Sequence, residues 1–388
     1  MTEQVLKIAL IGSRGIPARY SGFETFYEEL GSRLADRGHA VTCYGRSFFQ
    51  RKIGAAYRGI RIVSLPSIPT KHLDTITHTA LSTVHALFGQ YDIVFYCIVG
   101  NSPLAWLPRV SGARTLLNVD GEDWAREKWG CTARWYQKLC ERIATRTANV
   151  VIADAHVIQE RYARDFGESA VYVPYGANDR RTSTTVGLDK WNLSPREYIL
   201  YVGRLVPENR GHVLINAFRR VNTDMKLVIV GDAPFSAAYK RELRALADDR
   251  VVFTGYAFEE DYDVLSSHAY LYVQPSQVEG TRPALLDQLG FGNCVLVSAN
   301  MANREVIGDC GFSFALADDE RSLTESLRTL IGTPETVAKF RQRARSRIEN
   351  YYNWDWICDF YEDLFHRLVC KRALISYDDH LGSAQERQ

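Results

Sequence analysis

The feature that most constrains this chain is a rhythm that runs through it twice: a short apolar run ending at glycine or a turn, a loop, a helical stretch, then the next apolar run. The first series has its runs at 5–12 (VLKIALIG), 39–45, 91–100, 113–121, 148–154 and 170–176. The second has them at 198–203 (YILYVG), 226–231, 250–255, 269–274 and 293–298. Within 23–38, Phe23, Phe26, Leu30 and Leu34 fall at helical spacing before Gly38 stops the helix. Strands that alternate with helices build a parallel sheet covered on both faces. The expected fold class is therefore α/β, with two Rossmann-like, doubly wound parallel-sheet domains facing a central cleft at the carboxyl ends of their strands.

A length of 388 residues suits two domains. Polar and turn-forming residues interrupt the rhythm before the second series, and the linker is placed at 181–197. This gives an N-terminal domain at 1–180, a C-terminal domain at 198–352, an amphipathic closing helix at 353–369 and a tail at 370–388. Lys and Arg number 47 against 46 Asp and Glu, so no global field recruits nucleic acid and an anionic partner must be met by a local cluster. The 8 cysteines show no zinc-ligand spacing and read as reduced thiols, and a cytoplasmic location is expected. Neither an export signal nor a spanning helix is expected, because the N-terminal apolar run is short and leads straight into a strand pattern.

The first turn, GSRGIPARYSGFE (12–24), is not a dinucleotide fingerprint, and the second strand ends in CYGR without the acid that would hold a ribose. Gly12, Gly15 and Gly22 around Arg14 and Arg19 can instead present amides and guanidinium groups to a phosphate, the alternative being a plain strand-to-helix turn. Arg204, in GRLVPENRG after the first strand of the second series, is placed at a carboxyl end where a guanidinium needs an anion. Its alternative is an inter-domain salt bridge. Arg210 opens the next helix, as a second phosphate cation or a solvated charge.

The most specific stretch is QPSQVEGTRPALLDQLGFGNCVLVS (274–298). Pro283 marks a helix start, which leaves amides around Gly280, Thr281 and Arg282 for phosphate. Glu279 stands before that helix and Asp287 eight residues later, so the two can address different parts of one extended ligand; a capping Glu and a surface Asp fit equally. Asp261-Tyr262-Asp263 has the look of a metal-binding DxD but falls where acids suit a helix's first turn, and no metal is expected there. His39 is expected to be structural. Arg134, Lys138, Arg142 and Arg146 recur every four residues beside Trp135, either a solvated helix face or a contact for an anionic membrane surface.

The frame EGTRPALLD, the upstream GRLVPENRG and the opening SGFETFYEELGSRLADRGHAVTCYGR together resemble the retaining nucleotide-sugar glycosyltransferases of family four, in their bacterial rhamnosyltransferase-type branch, over about Lys7 to Leu368. The resemblance implies a GT-B fold with the donor held mainly by the C-terminal domain. It implies that Arg204 binds the donor diphosphate, that Glu279 lies against the donor sugar and that Asp287, in place of the usual second Glu, takes the ribose hydroxyls. Two positions depart from the family: Asn209 replaces the usual Lys, leaving Arg210 to supply that charge, and Asp120 in NVDGEDW stands where many members have His. Asp120 can accept hydrogen bonds from sugar or act as base toward an acceptor hydroxyl.

The expected function is metal-independent, retaining transfer of a sugar, with rhamnose from its deoxythymidine diphosphate implied, to a hydroxyl of a glycan or lipid-linked acceptor in cell-surface polysaccharide synthesis. No cofactor is expected beyond the nucleotide-sugar substrate. Glu279 and Asp120 are the expected catalytic residues; Gly15, Arg204, Arg210, Glu279, Gly280, Thr281, Arg282 and Asp287 are the expected donor contacts. A non-catalytic nucleotide-sugar binding protein and a GT-B nucleotide-sugar epimerase are the alternatives.

Overall fold

The computed structural model describes residues 4–18, 22–50, 54–70, 73–119, 121, 124, 130–233 and 236–385. The chain divides into two compact units, Met1–Tyr175 with Trp354–Gln388, and Gly176–Asn353.

The first unit is built on eight strands: β1 (Lys7–Ile11), β2 (Ala40–Arg46), β3 (Ala56–Tyr57), β4 (Ile60–Leu65), β5 (Ile93–Cys97), β6 (Arg114–Asn118), β7 (Val150–Ala153) and β8 (Val171–Tyr172). Their order in the sheet is β3-β4-β2-β1-β5-β6-β7-β8, parallel except for the short β3-β4 pair. The helices are α1 (Gly22–Asp36), α2 (Ser47–Gln50), α3 (Asp74–Ala86), α4 (Cys131–Thr147) and α5 (His156–Phe166). β5 is buried along its whole length, and its neighbours β1 and β6 are buried after their first residue, as a sheet covered on both faces requires. Gly12 follows β1 at φ +107, and a Cβ there would lie 2.8 Å from the Cys97 carbonyl oxygen, so only glycine lets this loop lie against the end of β5.

The second unit has β9 (Tyr198–Val202), β10 (Lys226–Val230), β11 (Val251–Gly255), β12 (Leu271–Gln274), β13 (Val295–Ser298) and β14 (Phe312–Phe314), ordered β11-β10-β9-β12-β13-β14 and parallel throughout. Its helices are α6 (Gly211–Arg219), α7 (Ala237–Leu246), α8 (Glu259–His268), α9 (Pro283–Gly290), α10 (Met301–Ile307), α11 (Asp319–Ile331) and α12 (Pro334–Tyr351). Residues 181–197, the expected linker, lie inside this unit, where Leu188 is buried and Arg196 donates its amide to the His268 carbonyl and its guanidinium to the Ala269 carbonyl at the end of α8.

The chain then returns to the first unit as α13 (Trp354–Val369). Phe26 of α1 meets Trp354 and Tyr361 at ring distances of 6.1 and 5.7 Å, and Arg37 pairs with Asp359 and Glu362, each at 2.6 Å. His39, Glu362 and His366 cluster within 4.8 Å. His39 Nδ1 accepts the Leu6 amide at 3.1 Å, which leaves its proton on Nε2 to donate to Glu362 at 2.8 Å. That tautomer makes the cluster a strap for α13, because a metal at Nε2 would need the lone pair the proton occupies. In the expected tail, α14 (Tyr377–Gln385) buries Tyr377 against Phe360 at 5.3 Å.

His78 of α3 is fully buried, and burial together with the neighbouring Arg46 charge pushes its pKa down to about 4. The unfolded chain protonates this imidazole near its ordinary value while the fold keeps it neutral. Above that value His78 has no effect on stability; as pH falls from about 6.5 to about 4 it removes on the order of 3 kcal/mol. In denaturant titrations at pH 7 and pH 4.5, His78→Gln should show a smaller acid-induced loss than the parent protein. Equal losses in the two proteins would contradict this assignment.

Candidate active site

In the second unit the chain steps outward from β9 to β10 and β11, then returns past β9 and places β12 on its other side. The loops after β9 and β12 therefore run in opposite directions, which opens the place where ligands of open α/β sheets bind. Arg204 lies in the first loop, and Glu279, Gly280, Thr281 and Arg282 lie in the second. Ser276 Oγ donates to the Glu208 carbonyl at 3.3 Å and ties the two loops together. Gly231, after β10, has φ +129, and a Cβ there would come within 2.0 Å of the Gly203 carbonyl oxygen. The backbone contact that seats Gly203, immediately before Arg204, thus depends on glycine.

The Arg204 carbonyl accepts from Asn209 Nδ2 at 2.8 Å and from the Tyr201 hydroxyl at 3.4 Å. Burial pushes the Tyr201 phenol up, and the charges of Arg282 and Arg204 oppose that shift, so both guanidinium groups act on one buried hydroxyl. The Arg204 guanidinium is half-buried and has no hydrogen bond or ion pair among the described residues. The other two arginines are committed. Arg210, expected as a second phosphate cation, is ion-paired with Asp319 of α11, which neutralises it. Arg282 donates to Ser276 Oγ and to the Val278 carbonyl, at 3.5 Å for the latter, and so braces its own loop. Asn209, at the family's Lys position, is buried and serves the same loop.

Glu279 accepts from the Met301 amide at 3.0 Å with one oxygen and from the Ala302 amide at 2.9 Å with the other. It is the capping Glu that the sequence left open, fixed on the N-terminus of α10 beside the Asn300 cap. Gly280, at φ +119, and the N-cap residue Arg282 lead into α9, whose N-terminus is the positive end of its dipole. Asp287 is not a surface acid: it accepts from the Tyr262 hydroxyl at 3.4 Å and acts on Arg180, whose pKa burial lowers while Asp287 and Asp263 raise it more, for a net rise. In the DYD stretch, Asp261 pairs with Lys190 at 2.5 Å and Asp263 with Arg180, so each carboxylate has its own cation.

In the first unit, the Gly15 amide donates to Ser13 Oγ at 3.1 Å, which commits that amide within its own loop. Asp120 and Arg19 lie outside the described residues. Sequence reading missed Tyr256 and Phe258, which stack at 5.6 Å and 19° after β11 and remain 40% and 45% exposed. The available signal was two aromatics directly beyond the glycine that ends a strand run. Arg180 was missed as well, since nothing in its local sequence marks it as the partner of α8.

Residues 196–333 match the family model described as glycosyl transferases group 1, and residues 97–178 match a domain of unknown function, DUF1972. The fold is the two-domain GT-B architecture of solved glycosyltransferase structures, and the match to the group 1 glycosyl transferase model falls within the second unit. The chain is similar to O-antigen chain mannosyltransferase C of Escherichia coli, at 23% identity over 91% of this chain and 96% of the relative. Among solved structures it resembles sucrose-phosphate synthase from Thermosynechococcus elongatus, with TM-score 0.82 and 20% identity over 94% of this chain and 100% of that one. It also resembles HepE of Anabaena in complex with UDP and glucose, with TM-score 0.76 and 16% identity over 92% and 99% of the two chains.

Arg204 and Glu279 should separate in experiment. Arg204→Ala removes a side chain with no hydrogen bond or ion pair among the described residues, so thermal stability should hold while nucleoside diphosphate affinity in calorimetry falls by about 2 kcal/mol, roughly thirtyfold. Unchanged affinity would remove Arg204 from the site. Glu279→Ala removes a helix cap and should lower unfolding stability by about 1 kcal/mol; stability equal to the parent's would contradict the capping role.

Proposed function

We propose that this protein is a retaining, metal-independent transferase that moves a sugar from a nucleoside diphosphate donor to a hydroxyl of a glycan or lipid-linked acceptor in cell-surface polysaccharide synthesis. The observation that carries this reading is the half-buried Arg204, with no counter-charge among the described residues, at the point where the second unit's strand order reverses. A diphosphate leaving group needs such a charge, and a bidentate guanidinium with the amides at the start of α9 supplies it without a metal. Support also comes from the O-antigen mannosyltransferase relative and from the UDP and glucose held by the HepE neighbour.

In this reading the bond between the sugar's anomeric carbon and the diphosphate oxygen breaks with its electron pair leaving on the diphosphate. The acceptor oxygen bonds to the same face, and its proton passes to the departing oxygen. Glu279, held rigid by two amides, places negative charge where positive character develops on the sugar. Asp287 takes the ribose hydroxyls, and the exposed Tyr256 and Phe258 rings offer a stacking surface for the base. On the acceptor side, Asp120 accepts a hydrogen bond from sugar, while the acceptor's proton goes to the departing oxygen. Resemblance names deoxythymidine diphosphate rhamnose as the donor.

The test is a panel of nucleotide sugars and lipid-linked acceptors in EDTA, read by mass spectrometry, with the product's anomeric configuration read by NMR. The expected result is acceptor-dependent product that retains the donor's configuration. Inverted product, or activity abolished by EDTA and restored by Mg²⁺ or Mn²⁺, would overturn the mechanism. Donor consumed without acceptor would assign an epimerase or hydrolase instead. Glu279→Gln should keep most nucleotide affinity and lose turnover, whereas Asp287→Ala should chiefly raise the donor KM.

A further inference from the structure

The outer layer of the first unit carries a surface that donor chemistry does not use. From Arg134 to Arg146, every exposed residue of α4 is basic or apolar: Arg134, Trp135, Lys138, Leu139, Arg142 and Arg146. At helical spacing they occupy one arc of about 140° with Trp135 set among the cations. The helix's one acid, Glu141, is buried and ion-paired with Arg161 at 2.7 Å, so it cannot offset the charge of that arc. Among the described residues, the guanidinium groups of Arg134, Arg142 and Arg146 have no ion pair.

A second exposed apolar element continues this surface. The turn Leu107–Ser111 is joined to the last turn of α4 by Arg109, which donates to the Arg146 carbonyl at 3.3 Å. Trp106 and Val110 stand out from it at 47% and 76% exposure, and Trp135 on α4 is 67% exposed. Leaving such side chains in water is costly unless they are covered at least part of the time. The whole chain has a formal charge of only +1, so the concentration of four cations on one helix face is local.

We propose that this face docks on an anionic lipid leaflet. The four cations would meet lipid phosphates, and Trp106, Val110 and Trp135 would enter the boundary between headgroups and acyl chains. Charge complementarity favours lipid over a protein partner: the face joins cations to bulky apolar groups, as interfacial helices do, and among the described residues of α4 it exposes no acid for a protein's cations to meet. Among the described residues no helix is long and apolar enough to cross a membrane, so the docking is by surface contact. The inference goes beyond the transferase reading and does not depend on it, because vesicle binding is read without donor or acceptor.

The experiment is cosedimentation of the full chain with phosphatidylglycerol or phosphatidylcholine vesicles at low and high salt. Binding is expected to the anionic vesicles alone, and to weaken with salt. R134Q/K138Q/R142Q/R146Q should raise the half-saturating lipid concentration at least tenfold. W106A/V110S/W135A should weaken binding and make what remains fully salt-reversible. Both variants change exposed side chains, and an unchanged circular dichroism spectrum with unchanged nucleotide affinity confirms their fold. Absence of wild-type binding to anionic vesicles at low salt would overturn the proposal, as would wild-type binding by the fourfold variant. A self-associated wild type that Trp135→Ala dissociates, with no vesicle binding, would overturn it in favour of a second copy of the chain.

Discussion

The reversal of strand order in each sheet is the constraint on which the rest depends. Neighbouring parallel strands must be joined by crossovers, and where successive crossovers run in opposite directions the loops between them separate. In the second unit this happens between β9 and β12, and Arg204, Glu279 and Arg282 fall in the two loops that follow those strands. The backbone contact of Gly231 with Gly203 then fixes where the first loop starts. In the first unit the same reversal falls between β1 and β5, where Gly12 lies against the end of β5.

Charge pairing narrows the site further. Arg180, Arg210 and Lys190 face carboxylates, and Arg282 is spent on its own loop, whereas Arg204 has its carbonyl anchored and its guanidinium without an ion pair or hydrogen bond among the described residues. An anchored backbone below a cation with no such partner suits a phosphate site, because the loop that carries the charge is placed before the ligand arrives. Glu279 is likewise immobilised by the amides of α10, so its charge is set in place by the fold.

The parallel sheets were legible in the sequence because strands buried on both faces read as unbroken apolar runs. The GRLVPENRG and EGTRPALLD stretches were readable as a candidate site because each comes just after such a run, at the start of the next helix. What could not be read was pairing across long separations. Arg210 and Asp319 belong to different helices, and no local pattern announces that they meet. Both readings of Glu279 fit its local sequence, and only the placement of α10 across from it decides that it caps. The 181–197 stretch has the polar composition of a linker, yet its ends are held by hydrogen bonds to α8 and the residue after it. The closing helix was legible as amphipathic, and its apolar side finds Phe26 and Phe95 of the first unit.

The central claim is that Arg204 and the start of α9 hold a diphosphate without a metal. A crystal structure of the protein with a nucleoside diphosphate, grown in EDTA, tests it most directly. The account predicts diphosphate density within hydrogen-bond distance of the Arg204 guanidinium and of amides in 280–282, with no intervening ion. Diphosphate bound at the Asp261 and Asp263 carboxylates through a cation, or away from Arg204 altogether, would contradict it.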